Sequence, residues 1–222
     1  MRAVLWDLDD TVLDTLPGRM AALRHAYSTC MGSLCDPAEL WRSHRGGTLE
    51  DLGRKLLGDG YQRFTTTYRD HYYNGDRSNI RPFAGVPEIL AYCLERDLPM
   101  AIVTSKLSWV ATEELVQCGM LQYFKCVVGS DDTDLHKPDP EPIYEALARL
   151  CLDIAATDDI LFIGDSPADV FAARNAGCRS LAAAWGTLDA DLLRDAYPDH
   201  FAQTAPDALR VISSALEAAS WK

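Results

Sequence analysis

Short apolar runs recur along the chain: Ala3-Val4-Leu5-Trp6, Met100-Ala-Ile-Val103, Lys125-Cys-Val-Val128, Ile160-Leu-Phe-Ile163 and Arg179-Ser-Leu-Ala182. Each has strand length, and the first four are followed directly by Asp, Thr or Gly. Between them apolar residues recur at spacings of three to five. Val110, Leu115 and Cys118 mark one such stretch, Ile143, Leu147 and Leu150 a second, Val170, Ala173 and Ala176 a third. Buried strands alternating with amphipathic helices predict an α/β fold, a parallel sheet with helices on both faces. In the C-terminal stretch, Leu209, Ile212 and Leu216 predict a last helix over 205–219 that covers the core.

The segment after the first strand breaks this alternation. Met20, Leu23, Tyr27 and Met31, then Leu49, Leu52 and Leu56, then Tyr61, Phe64, Tyr68 and Tyr72 all recur at helical spacing, and no strand pattern interrupts them. Asn74-Gly75-Asp76-Arg77-Ser78-Asn79 is a polar, turn-rich linker, and Pro82 with Gly85-Val86-Pro87 marks the return to the alternating pattern. The expected organisation is a discontinuous core, residues 1–14 and 83–222, carrying an all-helical insert over 15–82. The aromatic row Tyr61, Phe64, Tyr68 and Tyr72 reads as helix packing.

Polar groups collect at the ends of the strands. Asp7 and Asp9 close the first, Thr104 and Ser105 the second, and Gly164-Asp165 a later one. In an open parallel sheet these carboxyl ends lie on one edge, where ligands bind. Alternation puts Asp7 and Asp9 on the same side of a regular strand. Two like charges about 4 Å apart repel by roughly 4 kcal/mol at an effective dielectric of ~20, so a cation or a shared proton is expected between them.

Composition narrows the setting. The 222 residues are 48% hydrophobic and 24% charged, ordinary for a globular chain, with a net charge of -12. Such an acidic balance argues against a nucleic-acid partner, which draws affinity from basic patches. No apolar run approaches the ~20 residues that span a bilayer, so no membrane role is expected. Seven cysteines, none in a C-x-x-C pair, read as reduced thiols rather than a disulfide framework or zinc site. With no signal-peptide pattern at the N-terminus, the expected compartment is the cytoplasm. A monomer and a homodimer both fit.

Four segments in order resemble the haloacid dehalogenase superfamily of phosphohydrolases: Asp7-Leu-Asp9-Asp-Thr11, Thr104 after its strand, Lys137 in His136-Lys137-Pro138-Asp139-Pro140, and Gly164-Asp165-Ser166-Pro167-Ala168-Asp169. The resemblance spans the whole chain and includes an insert of the size of the family's helical cap. It implies a Rossmann-like core and a Mg²⁺-dependent phosphatase of a small phosphorylated metabolite, working through an aspartyl phosphate. Asp7 is then similar to the nucleophile and Asp9 to the residue that protonates the leaving oxygen and later accepts a proton from water. The neighbouring carboxylates are expected to push the Asp9 pKa upward. Thr104 and the Ser105 N–H would bind a phosphoryl oxygen, and Lys137 would supply positive charge. Asp7, the Asp9 carbonyl, Asp165 and Asp169 would surround the metal, Asp169 as ligand or neighbour.

Asp10 stands where many members have Gly, so it must tolerate the local turn, and no catalytic role is expected for it. Ser105 stands where many have Asn. Gly164 to Pro167 also reads as a helix start, with Asp165 or Ser166 as cap. In the insert, Thr48 with Asp51 reads as a capping box, and Arg45 beside Gly46 and Gly47 is the candidate reader of a second negative group on the substrate. Phosphoglycolate phosphatases are the nearest resemblance. Pyrophosphatase, nucleotide phosphatase and β-phosphoglucomutase readings share the same core motifs. A haloacid dehalogenation reaction needs no acid at Asp9 and no metal, which the acids present argue against. A phosphonatase would need a Schiff-base lysine in the cap, where Lys55 gives no reason for that role.

Overall fold

The computed structural model describes residues 1–44 and 48–217. Two compact units are present, one of Met1–Asp14 with Arg81–Lys222 and one of Thr15–Ile80.

The first unit is built on a six-stranded, wholly parallel sheet. Its strands are β1 (Ala3–Trp6), β4 (Met100–Val103), β5 (Cys126–Val128), β6 (Ile160–Gly164), β7 (Arg179–Ala183) and β8 (His200–Ala202), in the order β5-β4-β1-β6-β7-β8. β1 lies at the centre, with Leu5 opposite Ala101 on one side and Phe162 on the other. The chain adds strands on the β4 side of β1 first and on the β6 side afterwards, so the order reverses beside β1, the place where such sheets bind ligands. All four residues of β1 and of β4 are buried, as expected of strands covered on both faces.

Alternation along these strands divides the core. Ala3, Leu5, Ala101, Val103, Ile160 and Phe162 pack with Ile143, Ala146 and Leu147 of α7 (Glu141–Arg149) and with Ala172, Ala173 and Ala176 of α8 (Pro167–Ala176). Val4, Trp6, Ile102, Leu161 and Ile163 fill the opposite side and are equally buried. α5 (Val86–Leu94), α6 (Ser108–Gln117), α9 (Ala190–Asp195) and α10 (Ala205–Glu217) complete this unit. α8 begins at Pro167, whose fixed φ suits a first helical turn, and stops at Gly177, which takes φ 76°. Among the described residues no helix is long and apolar enough to cross a membrane. Cys93 and Cys178 are buried in this unit, where desolvation pushes both thiols up to about 12.

A two-stranded antiparallel ribbon closes the loop from which the insert departs. β2 (Leu13–Asp14) pairs with β3 (Arg81–Pro82), Leu13 opposite Pro82. Residues 81 and 82, grouped with the insert on sequence grounds, therefore lie in the first unit.

The second unit is helical: α1 (Leu16–Met31), α2 (Pro37–His44), α3 (Leu49–Leu57) and α4 (Tyr61–Asn74). Leu23, Ala26, Leu52 and Phe64 form its centre, with Tyr68 packed against them and stacked on Tyr72. Thr48 caps α3: its hydroxyl accepts from the Asp51 N–H at 3.1 Å while the Asp51 carboxylate accepts from the Thr48 N–H at 3.0 Å. The Thr48 hydroxyl, which also donates to the Asp51 carboxylate at 2.7 Å, and then the Thr48 N–H hold that carboxyl below its ordinary range. Arg45, Gly46 and Gly47 lie outside the described residues.

Candidate active site

Parallel pairing brings the ends of β1, β4 and β6 to one edge of the sheet. The ladder continues one step past each formal end: the Asp7 N–H donates to the Ile163 carbonyl at 2.8 Å, and the Thr104 N–H to the Val128 carbonyl at 2.9 Å. Asp7 and Thr104 are thus fixed by backbone and are buried, while Ser105 is exposed beside them. After Asp7 the chain coils back, with the Val12 and Leu13 N–H groups both donating to the Leu8 carbonyl, at 2.9 and 3.0 Å. Asp10 sits at the turn with φ 61°, a left-handed conformation that Asp tolerates better than most side chains, which answers the Gly commonly found there.

Lys137 comes in from the loop between β5 and α7. Its Nζ donates to Asp7 Oδ1 and to Asp169 Oδ1, both at 2.6 Å, and to the Val103 carbonyl at 3.2 Å. Burial pulls its pKa down, but Asp169 and Asp7 outweigh this and hold it above the ordinary lysine value. Asp7 behaves differently. Desolvation pushes its carboxyl up to about 7 despite Lys137, with Asp169 and Asp9 adding to the push.

Asp169 projects from the first turn of α8. Its Oδ2 accepts from the Ser166 N–H at 3.0 Å and the Ser166 hydroxyl at 2.6 Å, while Oδ1 faces Lys137. The side chain lies against Gly164, where an added Cβ would stand 2.3 Å from Asp169 Cγ. Only glycine there allows so close an approach. Ligand oxygens of Asp7, Asp165 and Asp169 all lie within 4.8 Å of one another. Three carboxylates against one ammonium, all hard oxygen donors, form a set that suits a small divalent cation.

Asp9 has a basic partner of its own. Its Oδ1 accepts from Lys106 Nζ at 2.7 Å, and the same Nζ donates to Glu114 Oε2 at 2.5 Å. Asp7, the more deeply buried of the two, is the carboxyl that desolvation pushes upward, and Asp9 has an ammonium against it. Neither Lys106 nor Glu114 was assigned a role from sequence. A signal existed: Glu114 shares the apolar stripe of α6 with Val110, Ala111 and Leu115, and a carboxylate in such a stripe requires a partner.

The Lys137 loop is tied down by acids that sequence reading also passed over. Asp131 accepts from the Ser108 N–H at 2.7 Å, and Asp132 from the Gly129 N–H at 2.8 Å. Arg149 of α7 binds Asp132 at 2.6 Å and the Val127 carbonyl at 2.9 Å. Trp185 donates its indole N–H to the Thr11 carbonyl at 2.9 Å.

A reversed-order parallel sheet whose central strand ends in a lysine-bridged carboxylate cluster defines a Rossmann-like α/β protein with a candidate active site at the carboxyl edge of its sheet. Residues 4–183 match the family model described as haloacid dehalogenase-like hydrolase, and the chain belongs to that family. A Caldanaerobacter subterraneus protein provisionally named pyrophosphatase PpaX is 32% identical, covering 95% of this chain and 94% of its own. A Neisseria meningitidis phosphoglycolate phosphatase is 30% identical, covering 87% of this chain and 84% of its own. A haloacid dehalogenase-like hydrolase structure from Streptococcus pneumoniae superposes with a TM-score of 0.83 at 24% identity, covering 96% of this chain and 98% of its own, which shows the shared fold.

Proposed function

We propose that this hydrolase is a Mg²⁺-dependent phosphatase of a small phosphorylated metabolite, similar in reaction to phosphoglycolate phosphatases. The observation that carries the reading is the Lys137 bridge between Asp7 and Asp169, set among three carboxylates at the end of the central strand. Asp7 attacks phosphorus through a carboxylate oxygen; the new O–P bond forms as the bond to the leaving oxygen breaks, giving an aspartyl phosphate. Asp9 gives its proton to the leaving oxygen, then takes one from the water that hydrolyses the aspartyl phosphate. The Thr104 hydroxyl and the Ser105 N–H bind phosphoryl oxygens. Lys137 neutralises charge on Asp7 and on the phosphoryl group, and its fixed place means no reorganisation is needed during the step.

Asp7 and Asp165, with the Asp9 carbonyl, would hold the metal ion; Asp169, whose two oxygens already serve Lys137 and Ser166, orients that lysine from beside the ion. When bound, the ion neutralises the carboxylate cluster and the phosphate it receives. The helical unit acts as the family's cap in selecting the substrate, with Arg45 as its candidate contact to a second anionic group. If R45A leaves KM and kcat unchanged for every substrate, that part of the proposal fails.

An inorganic pyrophosphatase is the second reading, supported by the PpaX-named relative. One panel separates the two: phosphoglycolate, pyrophosphate, sugar phosphates and nucleotides with Mg²⁺, against D7N as blank. Turnover of phosphoglycolate, with an acyl phosphate trapped by hydroxylamine and a loss of at least about 10³-fold in D7N, supports the first reading. Pyrophosphate as the preferred substrate supports the second. Activity retained in D7N, or in excess chelator, overturns the mechanism.

A further inference from the structure

We propose that Lys106, braced by Glu114, is a positioning residue that aims the Asp9 carboxyl at the leaving oxygen. The inference rests on the assignment of Asp9 as proton donor and extends it to two residues with no assigned part in the reaction. Lys106 Nζ bridges Asp9 Oδ1 at 2.7 Å and Glu114 Oε2 at 2.5 Å. Glu114 is wholly buried on α6, and the Lys106 side chain is 8% exposed. The lysine backbone is pinned too: its N–H donates to the Thr104 hydroxyl at 3.2 Å, and its carbonyl accepts from the Ser130 N–H at 2.9 Å.

Stability alone does not account for this arrangement. Burying a carboxylate and an ammonium costs several kcal/mol each, and apolar side chains of similar volume usually serve packing as well or better. A single lysine–aspartate contact would not fix Asp9 either, because the lysine stem has four rotatable carbons and follows whatever anion is near. Glu114 removes that freedom from behind. With its far side held by a rigid helix, the ammonium becomes a strut, and Asp9 Oδ1 is tied to a fixed point in the core unit. The second carboxyl oxygen is then held at a set angle, which is what proton transfer to a leaving group requires.

A positioning role for a proton donor predicts sensitivity to the leaving group. 4-Nitrophenolate departs as a stable anion and needs little proton transfer, whereas the alkoxide of phosphoglycolate needs it fully. Steady-state kinetics of wild type, K106M, K106R, E114Q and D9N on both substrates tests this, with thermal unfolding in parallel. K106M is expected to lose about 10²-fold in kcat on phosphoglycolate with KM changed by less than about twofold. Its loss on 4-nitrophenyl phosphate should stay under about fivefold. K106R should recover part of the loss, E114Q should shift in the same direction as K106M, and D9N should show the same split between substrates. If the lone Glu114 prevents K106M from folding, K106M/E114L removes both buried charges and carries the measurement. Equal losses on the two substrates, or a raised KM at constant kcat, overturn the positioning role, the latter making Lys106 a substrate anchor. A D9N variant without the split overturns the role of Asp9 itself. A wild type inactive on both overturns the proposed function and this inference with it.

Discussion

Lys137 Nζ stands 2.6 Å from Asp169 Oδ1, and the other oxygen of that carboxylate accepts both polar hydrogens of Ser166. One side chain therefore joins the start of α8 to the lysine that faces Asp7. Removing the lysine leaves two buried carboxylates facing each other with no counter-charge between them. K137M is expected to destabilise the fold by about 3–5 kcal/mol, the usual cost of breaking a buried ion pair from one side. Thermal unfolding in chelator reads this. A variant as stable as wild type would show the bridge to be absent in solution.

The Gly164–Asp169 contact makes a gentler probe of the same unit. G164A places a Cβ where Asp169 Cγ now approaches, so the carboxylate must swing away from Lys137. Overpacking of this kind costs about 1–3 kcal/mol, and a catalytic group displaced by an ångström costs on the order of 10²-fold in rate. We expect folded G164A with kcat reduced far more than stability. A crystal structure of the variant with Asp169 unmoved would contradict the expectation.

The raised Asp7 pKa sets a pH dependence. The unfolded chain releases this proton near 3.8, and the folded chain holds it to about 7. Between those values the folded state binds more protons, so this group's contribution to stability is fully present at low pH and declines as pH rises through the window. Lys137, also raised, acts only above its ordinary value of 10.5, where its contribution is lost as pH climbs. In chelator, the melting temperature of wild type should fall relative to D7N as pH rises from about 4 to about 7. Mg²⁺, which competes with the proton for Asp7, should flatten that difference. Parallel curves for the two proteins would place the raised pKa elsewhere.

How much of this was legible in the sequence depends on the length and polarity of each element. β1, β4 and β6 are continuous apolar runs that end in Asp, Thr or Gly-Asp, so both strand and site residue could be read together. β8 has three residues and β2 and β3 two each, too short for any period to register. α2 fully buries only Pro37, and its other apolar contacts, Leu40 and Trp41, are half-buried within eight residues, a stripe too short for its period to register. The residues that surround the site were harder. Asp7, Asp165 and Asp169 could be grouped because parallel strands share an edge, but Lys106, Glu114 and Arg149 act through side chains that reach across elements, and spacing along one element does not record such reach.

Arg149 offers a prediction outside the carboxylate cluster. It holds Asp132 and the Val127 carbonyl, and Asp132 in turn accepts from Gly129, so one guanidinium fastens the start of the loop that delivers Lys137. The side chain is one-third exposed, which screens the ion pair and limits its strength. R149A is expected to cost about 1 kcal/mol of stability, with a several-fold loss of kcat as Lys137 loosens. R149K keeps the charge but not the fork of donors, and should restore less than half of either loss. Full activity in R149A would show that the loop is held without it.

The tightest steric relationship near the site lies behind Asp10. A Cβ on Gly186 would stand 1.8 Å from the Asp10 carbonyl oxygen and 3.0 Å from its Cα, backbone against backbone, so neither side can yield by changing a rotamer. The neighbouring Trp185 donates its indole N–H to Thr11 at 2.9 Å, so the two residues brace the turn that carries Asp9 from outside. G186A must push that turn away. We expect a loss of about 1–3 kcal/mol and a marked fall in kcat, since Asp9 moves with the turn. W185F removes only the hydrogen bond and should cost about 1 kcal/mol with little change in rate. Unfolding curves and kinetics of the two variants decide the matter: the graded order, G186A worse than W185F in both measures, follows if close backbone approach is what holds the turn. Equal effects would assign the bracing to the indole alone.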